Sequence, residues 1–147
     1  MRKATSKSRK AASAPGPYNV FISHSGDDTW VAEQLARCVE DCGASTFLDK
    51  RDIAAGDDFT KRILQEIPKC DELVALFTPW SRRRAWVRHE IGMAQMQGKR
   101  IVCVFYKVTT ADFHGDEDGL GPLEGLNIVD INMLDTYFKA LQKRARS

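Results

Sequence analysis

No apolar run in this sequence approaches the roughly 18 residues that a membrane-crossing helix requires. The positive charge at the N-terminus is not followed by the apolar stretch of a secretory signal. The expected setting is therefore cytoplasmic, with no membrane partner. Cysteine is sparse: of the four, Cys38, Cys42, Cys70 and Cys103, none forms a CxxC pair. Cys38 and Cys42 lie four apart on a predicted helix with no nearby histidine to complete a zinc site. No metal is expected, and buried free thiols are expected instead. A dominant charge is also lacking. Lys and Arg total 22 against 20 acidic residues, a net charge of +2, so nucleic acid is not an expected partner of the whole molecule.

The charge is unevenly spread. Arg2, Lys3, Lys7, Arg9 and Lys10 crowd the first 17 residues with no acid among them, and Lys139, Lys143, Arg144 and Arg146 crowd the other end. Residues 1–17 have no apolar periodicity and read as a disordered basic arm, either a solvated tail or a tether to an acidic surface or nucleic acid. Residues 18–147 suit one domain.

Several familiar catalytic patterns are missing. His89-Glu90-Ile91-Gly92-Met93 lacks the second histidine of HExxH. Gly92 to Lys99 has one residue too many for a phosphate loop and falls at a helix end, where such a loop must open a helix. A receiver domain needs an aspartate at the end of its third strand, where Thr78 stands. Asp112, Asp116, Glu117 and Asp118 do not follow a calcium loop and read as a solvated acidic loop.

What is present is an alternation of short apolar runs with helix-period segments. Strands are predicted over Tyr18–Ser23, Ser45–Leu48, Leu73–Phe77, Ile101–Tyr106 and Leu126–Ile131. The third and fourth are continuously apolar, as strands buried on both faces are. A helix capped by Asp27 or Asp28 is predicted to run to about Asp41, with Val31, Leu35, Cys38 and Val39 on its buried face, and Gly43 stops it. Further helices are predicted over Phe59–Ile67, Pro79–Gln97 and Leu134 to about Arg144. Asp49–Asp58 reads as a long polar loop, and Val108–Leu126 as a Gly-rich acidic one with room for a short helix. The expected fold is α/β: a flavodoxin-like three-layer sandwich, with a five-stranded parallel sheet of order 2-1-3-4-5 and helices on both faces.

In that order the ligand crevice opens at the carboxyl ends of strands one and three. The loops there are Ser23-His24-Ser25-Gly26-Asp27-Asp28 and Thr78-Pro79-Trp80-Ser81, richer in small polar groups than a turn needs. The helix after strand three has an apolar stripe of Val87, Ile91 and Ala94, and Glu90 falls at its edge, about 60° round from Val87, with Trp86 one turn earlier. A carboxylate so close to a buried face needs a partner. The pattern alone leaves three readings open: a structural ion pair such as one with Arg83, partial solvent exposure, or a functional acid.

Three segments resemble the TIR (Toll/interleukin-1 receptor) family. Tyr18 to Ser25 is similar to its opening box. Leu48-Asp49 with Arg51-Asp52-Ile53-Ala54-Ala55-Gly56 is similar to the second box and the loop that follows. Trp86-Val87-Arg88-His89-Glu90 resembles the catalytic-helix signature of the TIR domains that consume NAD, in particular short bacterial ones of antiphage (Thoeris-like) defence. The resemblance implies an NAD nucleosidase that releases nicotinamide and yields ADP-ribose or a cyclic isomer in immune signalling. Glu90 would be catalytic. Trp86, with Phe47 or Leu48, would wall the nicotinamide pocket, Ser23, His24 and Asp49 would border ribose and phosphates, and Trp80 and Ser81 would line the crevice. NAD would be substrate, with no separate cofactor. Partners would be other TIR domains and a separate sensor or effector protein. The other function class that fits is a non-catalytic TIR adaptor, acting through the loop Asp49–Asp58.

Overall fold

The structure is a computed structural model that describes residues 17–48, 63–80, 85–113 and 126–147. Outside these lie the basic arm up to residue 16, the loop Asp49–Asp58, the start of the helix expected from Phe59, Ser81 with the basic run Arg82-Arg83-Arg84, and most of the Gly-rich acidic loop.

Five strands pair in parallel in the order β2-β1-β3-β4-β5: β1 (Asn19–Ser23), β2 (Ser45–Leu48), β3 (Glu72–Phe77), β4 (Arg100–Phe105) and β5 (Asn127–Asp130). The order matches the expected flavodoxin-like one. β3 and most of β4 are buried on both faces, which is why they read as unbroken apolar runs. Alternation then sorts their side chains into two cores. Phe21, Leu73, Ala75, Phe77, Ile101 and Cys103 face one side, against Val87, Ile91 and Ala94 of helix α2 (Ala85–Met96). Val20, Ile22, Val74, Leu76, Val102 and Val104 face the other, against helices α1 (Thr29–Asp41) and α3 (Leu134–Arg146). Each buried Leu, Ile or Phe contributes about 1.5–3 kcal/mol by leaving water, so the two apolar layers are what hold the sheet between its helices.

The register fixes where the loops emerge. Ser23 lies opposite Ala75, so β3 runs two residues beyond β1 and ends at Phe77, with Thr78 next. The chain after β1 turns through a 3₁₀ segment, Gly26–Asp28, capped by Ser25, whose Oγ accepts from the Asp27 N–H at 3.3 Å. α1 and α2 are followed by Gly43 (φ +101°) and Gly98 (φ +71°), left-handed positions that suit glycine.

Five expectations need correction. Asp28 occupies the N-cap position of α1, but its side chain makes no capping bond. The buried face of α1 is Ala32, Leu35, Ala36 and Val39, so Leu35 and Val39 were legible but Cys38 is exposed. Val31 is half-buried and packs against the same core, and the small alanines Ala32 and Ala36 take the place expected of Cys38. Pro79 and Trp80 form a turn and not the first turn of α2, because the Thr78 hydroxyl takes the Trp80 N–H. β5 stops at Asp130, whose carboxylate accepts from the Asn132 N–H and turns Ile131 into a 3₁₀ segment. The short helix expected after Val108 is a 3₁₀ turn over Thr110–Phe113.

Candidate functional site

Ser23 is the last residue of β1, and strand periodicity puts it on the same face as Phe21, the face covered by α2. Glu90 sits on α2 between Val87 and Ile91, both fully buried. The two meet: the Ser23 hydroxyl donates to Glu90 Oε1, and Glu90 is only 1% exposed. This carboxylate therefore lies on the β1–β3 switch point, under the sheet's carboxyl edge. Burying it costs desolvation, and a charge-assisted hydrogen bond offsets part of that cost.

His24 and Ser25 follow Ser23 and are buried in the same edge. Trp80 stands on the other wall, in the turn after β3, and is 58% exposed. Two polar side chains that the sequence did not single out as a pair join these walls. Thr78 Oγ1 donates to Asp28 Oδ2 at 2.8 Å, and both residues are buried.

The remaining expected site residues fall as follows. Phe47 and Leu48 lie on opposite faces of β2. Phe47 packs on the α2 side, its ring 5.1 Å from that of Phe21, whereas Leu48 packs on the α1 side. Phe47 also borders a groove of about 260 Å³ with Asn19, Glu66, Lys69 and Cys70. Asp49 and Ser81 lie outside the described residues, as does the side chain of Trp86, although Trp86 itself is in α2 one turn before Glu90. A groove of about 510 Å³, lined by Trp30, Leu35, Cys38, Tyr106, Leu134 and Phe138, lies between α1 and α3, on the face away from Glu90.

A further buried carboxylate occupies the opposite edge of the sheet. Glu72, the first residue of β3, accepts from Tyr18 Oη at 2.9 Å and from the Tyr137 hydroxyl. Arg144 grips it with two nitrogens, at 3.0 Å and 3.1 Å. Burial, reinforced by the Glu72 charge, pushes the Tyr18 hydroxyl up to about 12 and raises Tyr137 as well. Tyr137 and Arg144 are seven apart on α3, two helical turns on one face, which is the only signal the sequence offered. With four donors on one carboxylate, Glu72 serves as an anchor for α3 and has the wrong location for a switch-point ligand.

Thiol chemistry is an inferior account of this domain. Burial pushes Cys103 to about 12 and Cys70 to about 11, and raises Cys42 too, so none of the three offers a thiolate near neutral pH.

Comparison with known proteins bears on the fold and the family. Residues 20–144 match the family model of the TIR domain. The probable 2' cyclic ADP-D-ribose synthase BdTIR of Brachypodium distachyon is 32% identical over 108 residues, which are 72% of this chain and 48% of that protein. The chain thus spans about half the length of that curated relative. Among solved structures, the TIR domain of the Toll-related receptor TRR-2 from Hydra magnipapillata superposes with a TM-score of 0.64 at 19% identity, covering 88% of this chain and 99% of that one. The Clostridium botulinum CMP N-glycosidase BcmB superposes with a TM-score of 0.55 at 20% identity, covering 85% of this chain and 98% of that one. At such identities the likeness speaks for the fold.

Proposed function

This chain belongs to the TIR domain family, and we propose that it cleaves the nicotinamide–ribose bond of NAD with Glu90 as its catalytic carboxylate. The observation that carries the reading is the buried Ser23–Glu90 bond at the β1–β3 switch point. An acid held between apolar neighbours at a ligand crevice is placed for electrostatic work. The name of the 32% identical relative, a probable cyclic ADP-D-ribose synthase, supports the same substrate class.

The chemistry suits a single carboxylate. The bond from the anomeric carbon to the pyridinium nitrogen breaks, its electron pair stays on nitrogen, and nicotinamide leaves neutral. No general acid is needed, unlike in glycosidases that must protonate an alkoxide leaving group. The sugar becomes an oxocarbenium-like cation, which Glu90 stabilises by charge while it accepts from ribose hydroxyls. Glu90 is almost wholly buried and its Oε1 already accepts from Ser23, so a ribose hydroxyl would meet the carboxylate beside that serine or in its place. Trp86 and Phe47 would offer aromatic faces to the pyridinium, with Leu48 as the alternative wall. His24, Asp49, Trp80 and Ser81 would border ribose and phosphates. Water capturing the cation gives ADP-ribose and a proton; an internal oxygen or nitrogen gives a cyclic isomer.

The finer reading extends to self-association through TIR–TIR contacts, activation by a separate sensor or effector, and immune signalling in the cytoplasm. Incubation with NAD tests the core of it. Free nicotinamide with ADP-ribose or its cyclic isomer, identified by mass spectrometry, is the expected result. Intact NAD after incubation with folded, concentrated protein would leave the adaptor reading in its place.

A further inference from the structure

Asp28 stands where an aspartate usually caps a helix, yet its side chain makes no capping bond to α1. It turns instead to the end of β3, where Thr78 Oγ1 donates to its Oδ2 at 2.8 Å. The same threonine oxygen accepts from the Trp80 N–H at 3.2 Å. On the other side, the Asp28 N–H donates to the Ser25 carbonyl at 2.9 Å. One continuous chain of bonds therefore runs Ser25–Asp28–Thr78–Trp80. It crosses from the loop after β1 to the loop after β3, the two walls of the crevice. Strand pairing cannot make this link, because the β1–β3 register ends at Ser23 opposite Ala75.

The bridge and the catalytic pair lie on opposite faces. Continuing the alternation of β3, Thr78 follows Leu76 onto the α1 side, whereas Ser23 and Glu90 lie on the α2 side. The crevice is thus tied twice, once from each face. A threonine and an aspartate buried together are also a costly choice for a site that needs only packing. The start of a helix favours a carboxylate at this position.

We propose that Asp28 and Thr78 are a positioning pair that sets the spacing of the β1 and β3 loops and thereby the affinity of the crevice for a dinucleotide. The dinucleotide rests on the NAD reading given above; the link between the loops does not. Neither residue touches the reacting atoms in this scheme. They act through Ser23 and His24 on one wall and Trp80 on the other.

The test compares Thr78→Val, which keeps the shape and loses the hydroxyl, with Thr78→Ser, which keeps the hydroxyl, and with Asp28→Asn. Steady-state kinetics with NAD and hydrogen–deuterium exchange are read for each. Thr78→Val is expected to raise KM about tenfold, the loss of roughly one hydrogen bond, with kcat changed less than about twofold, and Thr78→Ser to restore KM. Exchange should quicken at Trp80 and over residues 26–28 while β4 keeps its protection. An unchanged KM, a serine variant as impaired as the valine one, or faster exchange spread evenly over the sheet would each overturn the pair's role. Exchange needs no substrate. A wild-type protein that leaves NAD intact defeats the NAD reading and the dinucleotide with it, and exchange still decides whether the pair couples the loops.

Discussion

Ser23 and Glu90 are 67 residues apart in sequence and share one buried hydrogen bond, hydroxyl to carboxylate. The bond joins the last residue of β1 to the helix that follows β3. It orients an acid that stands between Val87 and Ile91 on the apolar stripe of α2.

Replacing Glu90 by Gln should leave the fold intact, because an amide oxygen still accepts from Ser23. Nicotinamide release should fall by ~100-fold or more, since the charge that stabilises the sugar cation is gone. Ser23→Ala should cost less, about tenfold in kcat/KM, the scale of one hydrogen bond to a charged group. A nicotinamide assay run beside a thermal melt checks both. Wild-type turnover in folded Glu90→Gln would end the assignment.

Glu72 should answer to stability and not to catalysis. Glu72→Gln leaves Arg144 and two tyrosine hydroxyls facing a neutral amide, and we expect a loss of about 2 kcal/mol, reduced from the usual cost of breaking a buried pair because Arg144 is partly solvated. Urea titration measures it. KM for NAD should not change, since Glu72 lies at the amino edge of β3.

Alkaline pH should loosen the same anchor. Tyr18 ionises near 10 when unfolded and only at about 12 in the fold, held up by burial and then by Glu72. Its folded value is raised, so its stabilisation is complete below pH 10 and is lost as pH climbs to about 12. Tyr137 is shifted in the same direction. Melting temperature should therefore fall over this window. The fall should be shallower in Tyr18→Phe, a comparison that cancels the contribution of the buried thiols.

Specific activity should rise with protein concentration. If TIR–TIR contacts favour a competent conformer that is scarce in the monomer, association raises its share. Mutating Ile53 or Gly56 should blunt the rise without unfolding the domain. Activity per molecule that stays level from nanomolar to high micromolar, with a monomer by light scattering throughout, would rule out this control.

Much of the fold was legible because burial on both faces leaves a simple mark. Leu73–Phe77 and Ile101–Phe105 have no polar interruption, and only central parallel strands tolerate that. Glu90 was legible because a carboxylate beside Val87 and Ile91 breaks the helical pattern. Asp28 and Thr78 were not. Their bond spans 50 residues and depends on β3 outrunning β1, a matter of register that no local window holds. Glu72 carries no local mark of its burial, since the residues that enclose it arrive from both chain ends. Pro79 is a sound first residue for a helix, and the hydroxyl of the residue before it decided otherwise. Phe47 and Leu48 had to face opposite ways, but which face α2 would cover is settled by topology alone.

The parallel order β2-β1-β3-β4-β5 has a consequence for synthesis. β1 cannot meet β3 until some fifty further residues have left the ribosome, and such distant pairings form slowly. Until α2 docks, Glu90 remains an ordinary hydrated acid, and the Ser23 hydroxyl at the end of β1 has no carboxylate to meet. A chain cut short before residue 90 can still form the β1 and β3 loops but lacks the carboxylate that stands beneath them. The domain is born without its site and acquires it only when the centre of the sheet closes.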